Sequence, residues 1–150
     1  MLRERRYTKR KTMKLLFLIS VLAIPFFSKA GDGNENDIKA IAEEFIKVVD
    51  NNDADALAKI LHPEMIQFVR LDGNIIPFKA ADYIKMVGDK KLGGVPRKVT
   101  HKYAEVLRGE SADVVITAKS SEYDFLYQLS MMKGENGWVI VGILADIEKA

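Results

Sequence analysis

The chain has no cysteine among its 150 residues, and it has only two histidines and one tryptophan. Without cysteine the protein forms no disulfide and no thiolate metal site, so burial alone must stabilise it. The two histidines, His62 and His101, lie in no spacing typical of metal ligands, and no phosphate-binding loop or nucleophile elbow occurs. We therefore expect no metal and no cofactor.

No apolar run is long enough for a permanent transmembrane helix. Residues 15–27 form an uncharged run of 13 residues, whereas a bilayer span needs about 20. Lys14 precedes the run, and the small residues Ser28 and Ala30 follow it where a signal peptidase requires them. This layout predicts a signal peptide over residues 1–30, a mature domain over 31–150 without a stable membrane span, and a secreted or periplasmic location. An uncleaved N-terminal anchor is the alternative.

The first 12 residues carry six basic side chains. They form either a long basic start to the signal peptide or a segment upstream of the true start at Met13, which we favour. Eight of the 23 basic residues and one of the 21 acidic residues lie in residues 1–30, which leaves 15 basic and 20 acidic, a net charge of −5. Because phosphate binding needs clustered Lys and Arg, we expect no nucleic-acid partner.

The mature chain contains three helical patterns. Apolar residues recur at helical spacing over residues 35–50, and shorter patterns cover 54–61 and 80–90. A polar turn over residues 50–53 separates the first two, and Pro63 ends the second. The basic doublets Lys90-Lys91 and Arg97-Lys98 flank Gly93-Gly94, and we interpret this segment as a solvated loop.

Strand patterns occupy the remaining segments. Residues 65–71 and 75–78 form a predicted hairpin around the turn at residues 72–74, with Pro77 restricting its second strand to a sheet edge. Four longer strands follow at about 98–109, 112–121, 123–133 and 137–147. Helices on one face of a mainly antiparallel sheet make an α+β domain, and its roughly 120 residues suffice for one core.

The last strand is apolar on both predicted faces. Trp138, Ile140 and Leu144 share one parity, and Val139, Val141, Ile143 and Ile147 share the other. A sheet with two apolar faces is covered on both, so we expect a homodimer in which a second subunit covers the face opposite the helices.

The order of these elements resembles the nuclear transport factor 2-like (cystatin-like α+β cone) superfamily, within it an exported branch labelled lumazine-binding. The resemblance covers residues 35–148. Its residues are FIKVVDNNDADAL at 45–57, LHP at 61–63, FLYQLSMM at 125–132 and GWVIV at 137–141. It implies three N-terminal helices packed on a strongly bent sheet, forming a cone with an apolar pocket at its wide end.

The same superfamily includes enzymes such as ketosteroid isomerase, which combine an Asp base with two hydrogen-bond donors. In the alignment that the resemblance implies, Phe45 takes the position of one donor, a Tyr, and Val69 takes that of the base. Tyr127 or Gln128 falls near the late-strand donor. Because two of three roles are lost, we do not expect this isomerase chemistry.

Aromatic residues with a polar tip suit a pocket that orients an apolar ligand through few hydrogen bonds. The predicted pocket residues are Tyr83, His101, Tyr103, Tyr127, Trp138 and Asp146. For the three tyrosines and Trp138 plain core packing is the alternative, and for His101 and Asp146 the alternative is a position facing water. The function that follows is an exported, non-enzymatic domain that binds an unidentified small apolar molecule or serves as an accessory. Two alternatives remain: an atypical dehydratase, isomerase or cyclase using His101, Tyr103 and Asp146, or a dimeric interaction module whose pocket is filled by its own side chains.

Overall fold

The computed structural model describes residues 35–107 and 109–150, so the predicted signal peptide lies outside the described residues. The helices are α1 (Glu35–Asp50), α2 (Ala54–Ile60) and α3 (Ala80–Gly88). The strands are β1 (Leu61–Leu71), β2 (Asn74–Lys79), β3 (Lys98–Val106), β4 (Ser111–Lys119), β5 (Tyr123–Gly134) and β6 (Gly137–Lys149). Among the helices described, none combines the length and hydropathy that a membrane crossing requires.

The strands form one six-stranded sheet in the order β2-β1-β6-β5-β4-β3. Neighbouring strands are antiparallel except for β1 and β6, which run parallel. Pro77 lies on β2 at the edge of the sheet, as predicted. Proline has no N–H to donate, and at this edge the sheet loses no hydrogen bond between central strands. The three helices pack with this sheet, and the predicted α+β class is confirmed.

The element bounds agree with the sequence prediction to within two residues except at the start of β1 and at the end of β3, which stops at Val106 and not at residue 109. Strand β1 begins at Leu61, four residues earlier than expected, because the chain enters the sheet as soon as α2 ends. Leu61 pairs with Ile140, and a register shift before Ile66 accommodates the intervening residues, including Pro63. At its other end α2 is capped by the Asp53 carboxylate, which accepts a hydrogen bond from the Ala56 amide at 2.9 Å.

The core lies between the helices and one face of the sheet, which we call the inner face. Its fully buried side chains include Ile38 and Phe45 of α1 and Leu57 of α2, packed in one cluster with Ile116 and Leu129 of the sheet. Burying one such side chain contributes about 1.5–3 kcal/mol. This burial fixes the helices on the inner face, and within residues 35–107 and 109–150 no element covers the opposite, outer face.

A β-bulge in β6 overturns part of the predicted strand parity. Val141 has no partner across β5, so the alternation of faces shifts by one residue. Ile140 and Ile143 are both buried in the core, although their odd separation predicts opposite faces. Leu144 and Asp146, predicted to share the face of Ile140, lie on the outer face instead. The prediction was wrong at these two positions because one inserted residue reverses every side chain beyond it.

Candidate binding site

A cavity of about 500 Å³ opens at the inner face of the sheet. Its walls come from the β1–β2 hairpin, α3, the loop before β3, and the turn and strand ends of β5 and β6. Most of the lining is apolar and includes Val69, Leu71, Ile76, Phe78, Phe125 and Ile147. Small-molecule sites are typically apolar clefts of about 300–1,000 Å³ with a few placed polar groups, and this cavity has that size and character.

Arg97 is the central polar residue of the lining, and its side chain is only 4% exposed. Its Nε donates to Oδ1 of Asp50 at 2.5 Å, and its backbone amide donates to Oδ2 of the same carboxylate at 2.8 Å. Its two terminal nitrogens donate to the Tyr127 hydroxyl and to the carbonyl of Ile46. The guanidinium is therefore held in one orientation by α1 and β5.

Two aromatic rings complete the surroundings of this guanidinium. The Cζ atom of Arg97 lies 5.0 Å from the ring centroid of Phe125 and 5.6 Å from that of Tyr127. These two rings stack on each other at 6.1 Å with an interplanar angle of 6°. Burial disfavours the charged form of Arg97, but Tyr127 and Asp50 outweigh that effect and raise its pKa. The cation is thus stabilised inside the fold.

Tyr83 and Tyr127 are buried beside the Arg97–Asp50 ion pair. Phe45 packs against both rings, with centroid distances of 6.4 Å to Tyr83 and 5.4 Å to Tyr127. Burial raises the pKa of Tyr83 and of Tyr127, because a phenolate would lose its hydration. Both hydroxyls therefore stay protonated at neutral pH, available as hydrogen-bonding groups and not as bases.

Gln67 is a buried polar residue in the cavity wall, with 2% of its surface exposed. Its amide lies close enough to the Tyr83 hydroxyl to affect the pKa of that group. Its carbonyl oxygen, Oε1, is buried and accepts no hydrogen bond from any described residue. Buried polar atoms are nearly always paired, so Oε1, which is closed off from solvent, is an exception among the described residues.

The loop before β3 is exposed at most of its positions, as interpreted, but it is also anchored to the rest of the domain and buries the side chain of Arg97. The Asn52 side chain donates to the carbonyls of Val87 at 3.0 Å and Leu92 at 2.7 Å. Gly93 has a φ of +76°, and a Cβ there would lie 2.0 Å from the Val49 carbonyl oxygen. Only glycine permits this approach of loop to helix, and the approach places Arg97 in the core.

The structure brings two of the six predicted pocket residues together in the cavity, Tyr83 and Tyr127. His101, Tyr103 and Asp146 lie on the outer face, as their strand registers show. Trp138 packs against the core away from the cavity lining, and its Nε1 has no hydrogen-bond partner among the described residues. The alternative catalytic set of His101, Tyr103 and Asp146 therefore lies outside the cavity.

The sequence reasoning did not identify Gln67, Arg97 and Asp50 as parts of the site. A signal for Gln67 was present, because it shares the strand parity of the apolar residues Met65 and Val69 and so faces inward with them. Arg97 and Asp50 carried no comparable signal, since 47 positions separate the two partners and both lie in polar surroundings along the chain.

The outer face carries a continuous row of side chains across five strands. In the sheet register, Phe68 of β1 lies beside Leu144 of β6, Gln128 of β5, Val115 of β4 and Tyr103 of β3. We call these five residues the outer row. Phe68, Leu144 and Tyr103 are 44–54% exposed, which is high for apolar and aromatic side chains on one face of a sheet.

Possible metal ligands are sparse in the described part of the chain. Across residues 35–107 and 109–150, no group of three or more His, Asp or Glu side chains is placed to hold a metal ion. The polar groups available to a bound molecule are therefore those of the cavity lining, and they suit orientation by hydrogen bonding.

The fold is that of a cystatin-like α+β domain, with an apolar cavity at the inner face of its sheet. A family model described as "Putative lumazine-binding" matches residues 33–143, and the chain belongs to this family. None of the curated proteins matches the chain.

Several solved structures share the fold. A nuclear transport factor 2-like protein of unknown function from Silicibacter pomeroyi is 17% identical, with a TM-score of 0.61 over 74% of this chain and 92% of that one. A nuclear transport factor 2-like protein from Cytophaga hutchinsonii is 13% identical, with a TM-score of 0.66; the match covers 77% of this chain and 99% of that one. An uncharacterised protein with a cystatin-like fold from Caulobacter vibrioides is 15% identical, with a TM-score of 0.65; the match covers 77% of this chain and 91% of that one. The predicted superfamily is confirmed.

Proposed function

We propose that residues 31–150 form an exported, non-enzymatic domain that holds a small, largely apolar molecule in the inner cavity. The observation that carries this proposal is the cavity itself, which has about 500 Å³ of space and mainly apolar walls. A module whose pocket is filled by its own side chains would lack this space. Membership of a family described as lumazine-binding also supports a small-molecule ligand.

The polar lining supports binding better than acid–base catalysis. Arg97 is paired with Asp50, and the raised pKa values of Tyr83 and Tyr127 keep both hydroxyls protonated. Among the other ionisable lining residues, Lys91 and Glu122 are exposed and Tyr123 is half-buried. A general base needs an accessible, deprotonated group within hydrogen-bond reach of its substrate, and the buried part of this lining offers none.

Native mass spectrometry of gently purified protein tests the proposal. We expect a reproducible added mass of small-molecule size on the wild type. Val69→Phe, which adds bulk in the cavity wall, is expected to lose that mass. The matched control Val139→Phe, at the far end of β6, is expected to retain it. A bare mass in every preparation, together with no uptake of added apolar probes, would overturn the proposal.

Export is proposed from the layout of residues 13–30. We expect the exported product to begin at Gly31, both from the full sequence and from one starting at Met13. N-terminal sequencing of the product outside the cytoplasm measures this directly. Leu16→Arg, which places a charge inside the apolar run, is expected to block export. A full-length chain retained in the cytoplasm would contradict the proposal.

We also propose that a second copy of this chain covers the outer row. The support is the exposure of Phe68, Leu144 and Tyr103 along one line; the neighbouring rows add the exposed side chains of Ile66 and Leu126 beside polar residues. The Arg70–Asp146 ion pair lies on one side of it, and Asp113 and Ser130 lie on the other. A polar margin around an apolar strip is the usual composition of a protein interface.

The oligomeric state in solution tests this second proposal. We expect a dimer by sedimentation for the wild type and a monomer for Leu144→Arg, because an unpaired charge would be buried in the interface. Leu107→Arg is the matched control, since Leu107 is 45% exposed but lies beyond the end of β3. A monomeric wild type, or equal effects of the two substitutions, would overturn it.

A further inference from the structure

The buried polar side chains of the cavity lining are mainly hydrogen-bond donors. We propose that the bound molecule presents a neutral acceptor, a carbonyl oxygen, to the side-chain amide nitrogen of Gln67. This proposal rests on the proposed binding function and narrows it to one chemical class. The ligand is an uncharged, mainly apolar ketone, aldehyde, ester or quinone.

Gln67 presents the nitrogen end of its side-chain amide to the cavity. The residue lies on β1 in the cavity wall, and its Oε1 is closed off at the other end of the amide. Nε2 is not closed off, and among the described residues it donates no hydrogen bond of ordinary length and angle. An amide nitrogen carries two N–H donors. A bound molecule therefore meets donors at this residue and no acceptor.

Tyr83 adds a further donor from α3. Its ring is buried and its hydroxyl is not closed off, and the O–H donates to no oxygen among the described residues in ordinary hydrogen-bond geometry. Burial raises the pKa of Tyr83, so the proton stays on this oxygen at neutral pH. When an apolar molecule fills the cavity and excludes water, the donors of Gln67 and Tyr83 stay unpaired unless that molecule supplies an acceptor.

The side-chain acceptors of the lining are already used or lie at its edge. Oγ of Ser120 accepts from the backbone amides of Glu122 at 3.3 Å and Tyr123 at 3.0 Å. The Glu122 carboxylate is on an exposed residue. The Tyr127 hydroxyl accepts from Arg97, which leaves it a proton to donate. A ligand bearing O–H or N–H groups would find few partners inside, whereas an acceptor finds several.

The charges of the lining favour a neutral acceptor over a carboxylate. The Arg97 cation is already neutralised by Asp50, which accepts from its Nε at 2.5 Å and from its backbone amide at 2.8 Å. Lys91, the second cation of the described lining, has an exposed side chain. An anion moving inside would lose its hydration without gaining an unpaired cation, and this cost is far smaller for a carbonyl group.

Calorimetric titration with α-tetralone and tetralin tests the proposal, because a carbonyl group in one probe replaces a methylene group in the other. The ratio of the two affinities is compared between the wild type and Gln67→Met, so the different hydration of the probes cancels. We expect this ratio to fall about three- to tenfold in Gln67→Met, the difference that one buried hydrogen bond makes. Gln128→Met, the same change in the outer row, should leave the ratio unchanged. The wild type should also bind α-tetralone more tightly than naphthoate, a carboxylate of similar size.

A nuclear magnetic resonance measurement makes the test independent of how Gln67→Met folds. The chain has two glutamines, Gln67 and Gln128, so Gln128→Met leaves one glutamine side-chain amide. Its N–H signals should shift on addition of α-tetralone and shift less with tetralin. An unchanged affinity ratio in Gln67→Met, equal shifts with the two probes, or tighter binding of naphthoate would overturn the acceptor proposal and leave the binding function standing. Binding of none of the three probes would overturn the function as well.

Discussion

Two arginine–aspartate pairs lie on opposite faces of the same sheet, and they differ in almost every physical respect. On the inner side, the Arg97 and Asp50 side chains are 4% and 12% exposed. On the outer side, the Arg70 and Asp146 side chains are 54% and 29% exposed. The inner pair fixes a loop, a helix end and a strand around the cavity, whereas the outer pair borders the outer row and remains in water.

The comparison shows how one sheet serves two purposes. A buried ion pair needs further hydrogen bonds to offset desolvation, and Arg97 has them at Tyr127 and Ile46. The resulting network is rigid, which is useful where a cavity must keep its shape. An exposed pair contributes little to stability and adjusts easily, which suits the margin of a surface meant for contact. The Arg70 guanidinium still holds the pKa of Asp146 below its usual range through a hydrogen bond.

The largest expected effect on stability comes from breaking the inner pair, Arg97 and Asp50. Arg97→Met should lower the free energy of unfolding by about 3–5 kcal/mol, because it leaves the Asp50 carboxylate in a largely buried site without its partner. Urea denaturation followed by circular dichroism measures this change. Arg70→Met is the matched control on the outer face and should have a much smaller effect. Equal losses for the two variants would show that the faces do not differ as described.

An intermediate effect is expected at alkaline pH. Burial raises the pKa of Tyr83 above its usual value near 10, so the folded state keeps a proton that the unfolded chain releases. Stability should therefore be unaffected by this group below pH 10 and fall above it, by about 1.4 kcal/mol per pH unit for each such tyrosine. Tyr83→Phe should flatten that decline in urea titrations, and Tyr103→Phe on the outer face should not. A decline that is unchanged in Tyr83→Phe would contradict the burial argument.

The smallest expected effect lies on the outer face. Thr100 and Thr117 join β3 and β4 through their hydroxyls, whose oxygens are 2.8 Å apart and exposed. Thr117→Val keeps the β-branched shape and removes this hydrogen bond, so we expect a loss of about 0.2–1 kcal/mol by urea denaturation. Thermal unfolding of the same variant should stay cooperative. A loss as large as that of Arg97→Met would show that the outer face also depends on fixed polar contacts.

The sequence predicts the helices and strands well, but it predicts less well which face of the sheet each side chain occupies. Helix α1 is predictable because its apolar residues recur at helical spacing and stay buried in one stripe. The side of the sheet on which Leu144 and Asp146 lie is not predictable, because the bulge at Val141 leaves no mark in the apolar pattern of β6. Strand alternation alone places these residues on the wrong face.

Periodicity also explains why only part of the candidate site was predictable. Tyr83 and Tyr127 reach the cavity because each lies on an apolar face that periodicity already identifies. Arg97 reaches it only because Gly93 lets the loop approach Val49 and because Asp50 accepts its charge. Such long-range pairings depend on the assembled fold, and no local pattern records them.

The central position of β6 has a consequence for how the chain is made. This strand covers residues 137–149, yet it lies between β1 and β5 and is the sole neighbour that joins them. Until residues 137–149 have left the ribosome, β1–β2 and β3–β5 are separate pieces without a shared sheet. Contacts this distant in sequence also form slowly. The proposed export would benefit from this order, because a chain whose sheet cannot close before β6 is made stays unfolded while most of the domain is synthesised.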